Sequence, residues 1–259
     1  MDAKCLYNKG VTAEVSNYSV ITKFIFYTGT VNMSHKISIV IFGTGKVSDV
    51  IATYIESDDR YDIVAFTCDA KYCNQAEFRG KPLIPFEKIE ETYSSESYKL
   101  LMAVGYHDLN NLRHTIFQAA IAKGYEVISY ISPMANVAPG TTIGHGCVIL
   151  IDADIQPGVV IGDNVVVWNN AVIGHHATIS EDCWLASGVT IGGSSKIMRS
   201  CFLGLNSTVG HEIEVGERSF IGACALVLKN KKPGSVLIER ETESLRLNSD
   251  QFLKISNMP

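Results

Sequence analysis

No stretch of this 259-residue chain approaches the ~20 consecutive apolar residues that carry a helix across a bilayer, so a helical membrane protein is excluded. Basic charge is also scarce: 22 Lys and Arg stand against 27 Asp and Glu, a net charge of −5. Without a basic field, neither a nucleic acid nor an anionic membrane is an expected partner. An anionic ligand has to be held locally, by backbone N–H groups or a few side chains. The N-terminus lacks the basic start, apolar run and small-residue cleavage site of a signal peptide. The seven cysteines (Cys5, Cys68, Cys73, Cys147, Cys183, Cys201, Cys224) form no CxxC pair, which excludes a zinc ribbon and a thioredoxin motif. An odd number without a leader fits a reducing, cytoplasmic location. What remains is an ordinary globular composition, 46% apolar and 19% charged, at a length suited to one large domain or two small ones.

A strict repeat fills the second half. Stepping by six from Ile131, one meets Val137, Ile143, Ile149, Ile155, Ile161, Val167, Ile173 and Ile179. The step continues through Leu185, Ile191, Ile197, Leu203, Val209, Val215, Ile221 and Val227 without an insertion. Gly often follows the aliphatic, as at Gly144, Gly162, Gly174, Gly192, Gly204, Gly210, Gly216 and Gly222. Four residues after it stands a small side chain, among them Cys147, Cys183 and Cys201, which are therefore expected in the core. Hexapeptides of this kind build a parallel β-helix: the aliphatic points inward, and the glycine is expected to supply unusual backbone angles at the corner. Three hexapeptides close a triangular coil, so residues 18 apart stack, and residues 131–230 make the coil domain. Its hand does not follow from the spacing.

Residues 36–130 read as a small α/β domain. The run Lys36–Phe42 is a buried strand, followed by Gly43-Thr44-Gly45 and a helix over about 47–56. A second strand (62–67) ends at Cys68-Asp69, a third (100–104) runs into Gly105-Tyr106, and a helix over about 110–123 ends at Gly124. This alternation predicts a Rossmann-like parallel sheet with ligands at the carboxyl ends of its strands. The Gly43-x-Gly45 turn either cradles a phosphate at the helix N-terminus or is simply tight, with Ser48 where a third glycine would stand. Residues 1–35 show no period, and Met33 directly before the first strand suggests a non-native N-terminal extension. The tail, 231–259, loses the repeat, with a short helix expected over 241–252.

The combination of this α/β segment, Ile131-Ser132-Pro133-Met134-Ala135 and an uninterrupted hexapeptide coil resembles the bacterial nucleotide-amino-sugar N-acyltransferases, grouped with sialic acid O-acetyltransferase-like proteins. Gly105-Tyr106, Leu109-Asn110, Arg113 and Ile173-Gly174-His175-His176 carry the resemblance further. It implies a homotrimer of left-handed β-helices with a nucleotide-linked sugar on the N-terminal domain and acetyl-CoA in the groove between neighbouring coils. It assigns the general base to His175, with His176 where the family has an acidic partner. Trp184 falls where the family has a histidine contacting acetyl-CoA, and Trp168-Asn169-Asn170 replaces the family's Asn-Thr-Gly near the sugar. Asp69 matches an acidic nucleotide contact. The substrate residues implied are thus Gly43, Thr44, Gly45, Asp69, Gly105, Tyr106, Trp168 and Asn169, with a UDP-, dTDP- or GDP-linked amino-deoxysugar as acceptor for glycan synthesis.

The chemistry is consistent with these residue types. Acyl transfer to an amine needs a base that works near neutral pH, and the unperturbed pKa of histidine, about 6.5, suits it. Gly193 lies 18 residues after His175, so its N–H is a candidate donor to the thioester oxygen. A cofactor lying along the coil would touch Ser187, Leu205 and Ala223, one column at 18-residue spacing, although small corner residues also suit the fold. A corner histidine read alone is usually just a solvated side chain. Three rivals follow: a sugar O-acetyltransferase, a non-catalytic nucleotide-sugar binder, and a zinc carbonic anhydrase. His175 and His211 are 36 apart, but Gly216 stands where the third zinc ligand belongs, so no metal is expected.

Overall fold

Strand β1 (Ile37–Phe42) is a β-branched run whose Ile39, Val40 and Ile41 are fully buried, the signature of a central strand covered on both faces. The structure, a computed structural model, describes residues 36–256; the expected N-terminal extension lies outside the described residues. After β1 come α1 (Lys46–Glu56), β2 (Tyr61–Cys68), β3 (Glu77–Phe78), β4 (Lys81–Pro85), β5 (Lys99–Met102) and α2 (Asn111–Ala122). The sheet order is β3-β4-β2-β1-β5. The expected all-parallel sheet is corrected here, because β3 runs antiparallel to β4 while the other pairs are parallel. Arg79 and Gly80, both at positive φ, make the two-residue hairpin between them.

The coil begins at β6 (Tyr130–Ile131), and every aliphatic of the six-residue step closes a two-residue strand as far as β22 (Leu226–Val227). It is a left-handed parallel β-helix with three sheets of 6, 5 and 7 strands. Register is fixed at 18 residues, as in Ile155 beside Ile173 and Ile173 beside Ile191. Cys147, Cys183 and Cys201 are buried; their thiols donate to the carbonyls of Gly162, Met198 and Gly216 at 3.1, 3.1 and 3.2 Å.

The glycines after the aliphatics have a different task from the one expected. None of those eight is at positive φ. A Cβ on Gly174 would stand 2.6 Å from the Gly193 nitrogen, and one on Gly204 2.7 Å from the Ala223 nitrogen. They allow adjacent coils to approach. The left-handed corner residue comes two positions later; it is often Asn, Asp or Ser (Asp152, Asn164, Asn170, Asp182, Ser194, Asn206), at φ of 54–61°, and elsewhere a different glycine, as at Gly140, Gly146, Gly158 and Gly188.

The repeat also runs further than the sequence suggests. Lys231 bridges to Val215, and β23 (Val236–Leu237) pairs with Phe220–Ile221, so the last coil is two residues shorter than the others. The tail helix α3 spans Ser249–Ser256 and starts later than expected.

The α/β layer and the coil share one continuous apolar core. Between them lies Arg113, fully buried, donating to the carbonyls of Met102 (3.0 Å) and Gly146 (2.8 Å) and, at 3.4 Å, of Asn164. Asn110, in the left-handed region at the start of α2, donates its amide to the Asp182 carbonyl at 2.6 Å. These contacts set where the loop holding Tyr106 meets the coil.

Candidate active site

At the carboxyl ends of β1, β2 and β5 is a cavity of about 280 Å³ lined by Gly43, Thr44, Gly45, Lys46, Asp69 and Gly105, among others. Five sequence-predicted residues thus meet in one place. Gly43 has φ +133°, and a Cβ there would strike the Ala103 carbonyl. Ser48, in place of a third glycine, is buried and donates to the Gly43 carbonyl at 2.8 Å, tying the turn to the first turn of α1. Lys46, which sequence reasoning passed over although it directly follows Gly45, brings a positive charge. Cys68 also lines the cavity; burial and the neighbouring Cys73 sulfur, 3.1 Å away, push its thiol up to about 12, so it stays protonated.

A second cavity, about 490 Å³, adjoins the first at Val47, which lines both. One wall is Tyr106; the other is the coil, with Trp168, Trp184, Ser187, Phe202, Leu205, Phe220 and Ala223. The expected cofactor column, Ser187, Leu205 and Ala223, therefore borders the same trough as Tyr106 and both tryptophans. Trp168 and Trp184 occupy different repeat phases, yet their ring centroids are 5.8 Å apart. Tyr106 packs on Trp184 and Phe202 at 5.3 and 4.5 Å, and Phe202 stacks on Phe220 at 4.8 Å. Phe202 and Phe220 were missed, although they follow Trp184 at 18-residue spacing. Asn169 heads the column, accepting from the Ser187 hydroxyl at 2.8 Å. The Trp168 indole N–H is buried without a hydrogen-bond partner among the described residues, leaving a donor at this wall.

His175 and His176 are exposed at another corner, between the strand ending at Ile173 and the one ending at Ile179. Their Nδ1 atoms are 3.1 Å apart, so one donates to the other and the Nε2 of each stays outside the pair. The His176 ring lies against Gly158 and the His175 ring against Gly193, where a Cβ would come within 2.9 and 2.7 Å of them. The expected role of Gly193 needs correction. Gly193 is buried, and its N–H is donated to His211 Nδ1 at 2.9 Å, so it offers no free donor. The rings of His175 and His211 lie 6.5 Å apart.

Residues 38–120 match the family model of the PglD N-terminal domain, and residues 140–175 that of the bacterial transferase hexapeptide (six repeats). A comparison with curated proteins returned no match. Among solved structures, the acetyltransferase domain of PglB from Neisseria gonorrhoeae FA1090 is 26% identical, with a TM-score of 0.71 over 77% of this chain and 95% of that one. Perosamine N-acetyltransferase from Caulobacter crescentus, in complex with CoA and GDP-perosamine, shares the fold at 21% identity and TM-score 0.71, over 77% of this chain and 92% of that one. WeeI from Acinetobacter baumannii AYE does so at 14% identity and TM-score 0.71, over 79% and 97%. By these matches the chain carries a PglD-type N-terminal domain followed by a bacterial transferase hexapeptide coil, in the fold of these solved structures.

Proposed function

We propose that this protein is an acetyl-CoA-dependent N-acetyltransferase acting on the amine of a nucleotide-linked amino-deoxysugar in the cytoplasm, with His175 as general base and a homotrimer as the working unit. The observation that carries the reading is the pair of adjoining cavities. One is built on a glycine turn at a helix N-terminus, with Lys46 beside it, and suits a nucleotide diphosphate. The other is a long aromatic trough along the coil, floored at 18-residue spacing by modest side chains, and suits a pantetheine arm. Acetyl-CoA supplies an activated acyl carbon. His175 Nε2 takes the proton of the sugar amine as its nitrogen bonds to that carbon, the carbon–sulfur bond breaks, and CoA leaves as the thiolate. No acyl-enzyme is needed.

The test is a purified-protein assay of CoA thiol release with acetyl-CoA and a panel of UDP-, dTDP- and GDP-linked amino sugars. One member of the panel is expected to give turnover and an N-acetylated product by mass. Binding of nucleotide sugar without thiol release would leave only a binding protein, and a base-labile ester product would mean O-acylation.

Within one chain His175 and the Ser187–Leu205–Ala223 column occupy different corners of the prism, because they follow different sheets. A site that uses both therefore needs two chains. This leads to a second expected result. The Ala223→Trp variant, with its trough blocked, and the His175→Ala variant should each be inactive alone. Co-expressed, they should regain roughly a quarter of wild-type turnover, the share of interfaces that pair one intact histidine with one intact trough. Absence of recovery in verified mixed oligomers would show that each chain uses its own histidine.

A further inference from the structure

Gly193 is the residue from which an amide donor to the thioester oxygen was expected, and it is covered. His211, one coil further on, accepts its N–H at 2.9 Å through Nδ1. A backbone amide only donates, so Nδ1 of His211 must carry a lone pair, and the neutral ring must hold its proton on Nε2. Geometry fixes the tautomer here. His211 is exposed, and among the described residues its Nε2 makes no hydrogen bond. The His175 ring lies directly on Gly193, its Nε2 2.7 Å from where a Cβ would be, and the His211 ring stands 6.5 Å from it at an angle of 33°. One corner thus presents an imidazole set to donate a hydrogen bond at Nε2 and, next to it, a second imidazole whose Nδ1 is paired with His176.

We infer that His211 Nε2–H, rather than the N–H of Gly193, is the donor to the thioester oxygen as it gains negative charge. The inference rests on the acetyltransfer reading above and makes His211 a catalytic residue of that reaction. The role of Gly193 changes accordingly: its amide holds the tautomer of His211, and its missing side chain makes room for His175. Both imidazoles then do work that a single tautomer could not. His175 has to be free of a proton at Nε2 to act as a base, while His211 has to carry one there. The inference requires His175 Nδ1 to donate to His176, opposite in sense to His211 Nδ1, which accepts from Gly193.

Two substitutions at position 211 distinguish this role from a structural one, assayed in the full-length protein with acetyl-CoA and the amino sugar turned over by the wild type. His211→Asn keeps an acceptor near the place of Nδ1 but removes the donor at Nε2, and kcat should fall about 10²–10³-fold with KM for both substrates little changed. His211→Gln places an amide N–H near Nε2, and should recover kcat by about tenfold over the asparagine variant. An asparagine variant as fast as the wild type, or faster, overturns the inference: His211 would then only mask Gly193, whose own N–H would be the donor. A second readout does not depend on turnover. Nitrogen-15 shifts of the wild-type imidazoles should show the Nε2–H tautomer at His211, and the Nδ1–H tautomer there would overturn the inference even with the acetyltransfer reading intact. A wild type without acetyl transfer to any member of the panel overturns both.

Discussion

Alanine at position 175 is expected to lower kcat about 10²–10⁴-fold, the usual contribution of a positioned general base, while binding of acetyl-CoA and nucleotide sugar stays near wild type. The reason lies in where the side chain sits. His175 projects from a corner, exposed, and contributes nothing to the apolar core, so its loss should leave the thermal midpoint nearly unmoved. Its backbone N–H donates to Gln156 Oε1 at 3.0 Å and its carbonyl accepts from the Ser194 N–H at 2.8 Å, and alanine keeps both bonds. The side chain lies against His176 and the Gly193–His211 pair. Steady-state thiol release should therefore show a collapse in kcat, and calorimetric titration with CoA should not. Unchanged turnover would remove His175 as the base and leave the cavities without their proposed proton acceptor.

The partner of that base bears on how the site is tuned. At His176 the family resemblance leads one to expect a carboxylate, and the chain has an imidazole at 3.1 Å from His175 Nδ1. A neutral ring can accept the Nδ1–H of His175 and so aim its Nε2 lone pair outward, but it adds no negative charge. Position 176 is also the left-handed corner residue, at φ 58°, with Gly158 making space for its ring on the coil before. Orientation is thus supplied by backbone and packing, without an ion pair.

Much of this was legible in the sequence, and what was not has a physical explanation. The coil could be read because each turn must bury one aliphatic in the same place, which leaves an unbroken row from Ile131 to Val227. The task of the glycines could not, because composition does not separate a residue needed for positive φ from one needed for close approach. The left-handed corners were written two positions later, in Asp152, Asn164, Asn170 and Asn206. The hairpin at Arg79-Gly80 escaped because arginine is an unusual first residue for such a turn. In the site, Gly43, Thr44, Gly45, Asp69 and Gly105 converge as the strand ends foretold. The trough hides Phe202 and Phe220 from a reading made one motif at a time, although column spacing from Trp184 reaches both. The tautomer of His211 needed coordinates, since only a hydrogen bond shows which of its nitrogens is protonated.

Replacing Arg113 by methionine should destabilise the protein by about 2–5 kcal/mol, seen as a drop of about 5–15 °C in midpoint at fixed protein concentration. A buried charge is often a net cost, and a well-packed apolar replacement of a buried ion pair can be neutral. Arg113 differs because its partners are main-chain carbonyls. Those of Met102 and Gly146 remain in the seam after the guanidinium is gone, each an acceptor with a lost donor at roughly 1–3 kcal/mol. Burial lowers the Arg113 pKa to about 10 from its ordinary 12.5. For a basic group lowered on folding, the unfolded chain binds more protons between those two values, so the charge penalty is relieved only as pH rises through that window. Below it both states are protonated, and the deficit of Arg113→Met should be flat from about pH 6 to 9. The same substitution should reach the trough. Arg113 binds the end of the Met102 strand to the coil just ahead of the Tyr106 loop, and both tryptophans of the chain stand opposite Tyr106. Loosening the seam should therefore change tryptophan fluorescence and raise KM for acetyl-CoA at temperatures well below unfolding. A variant with a wild-type midpoint would show that water or a shift of α2 satisfies those carbonyls, and that the two layers are held by their shared apolar core alone.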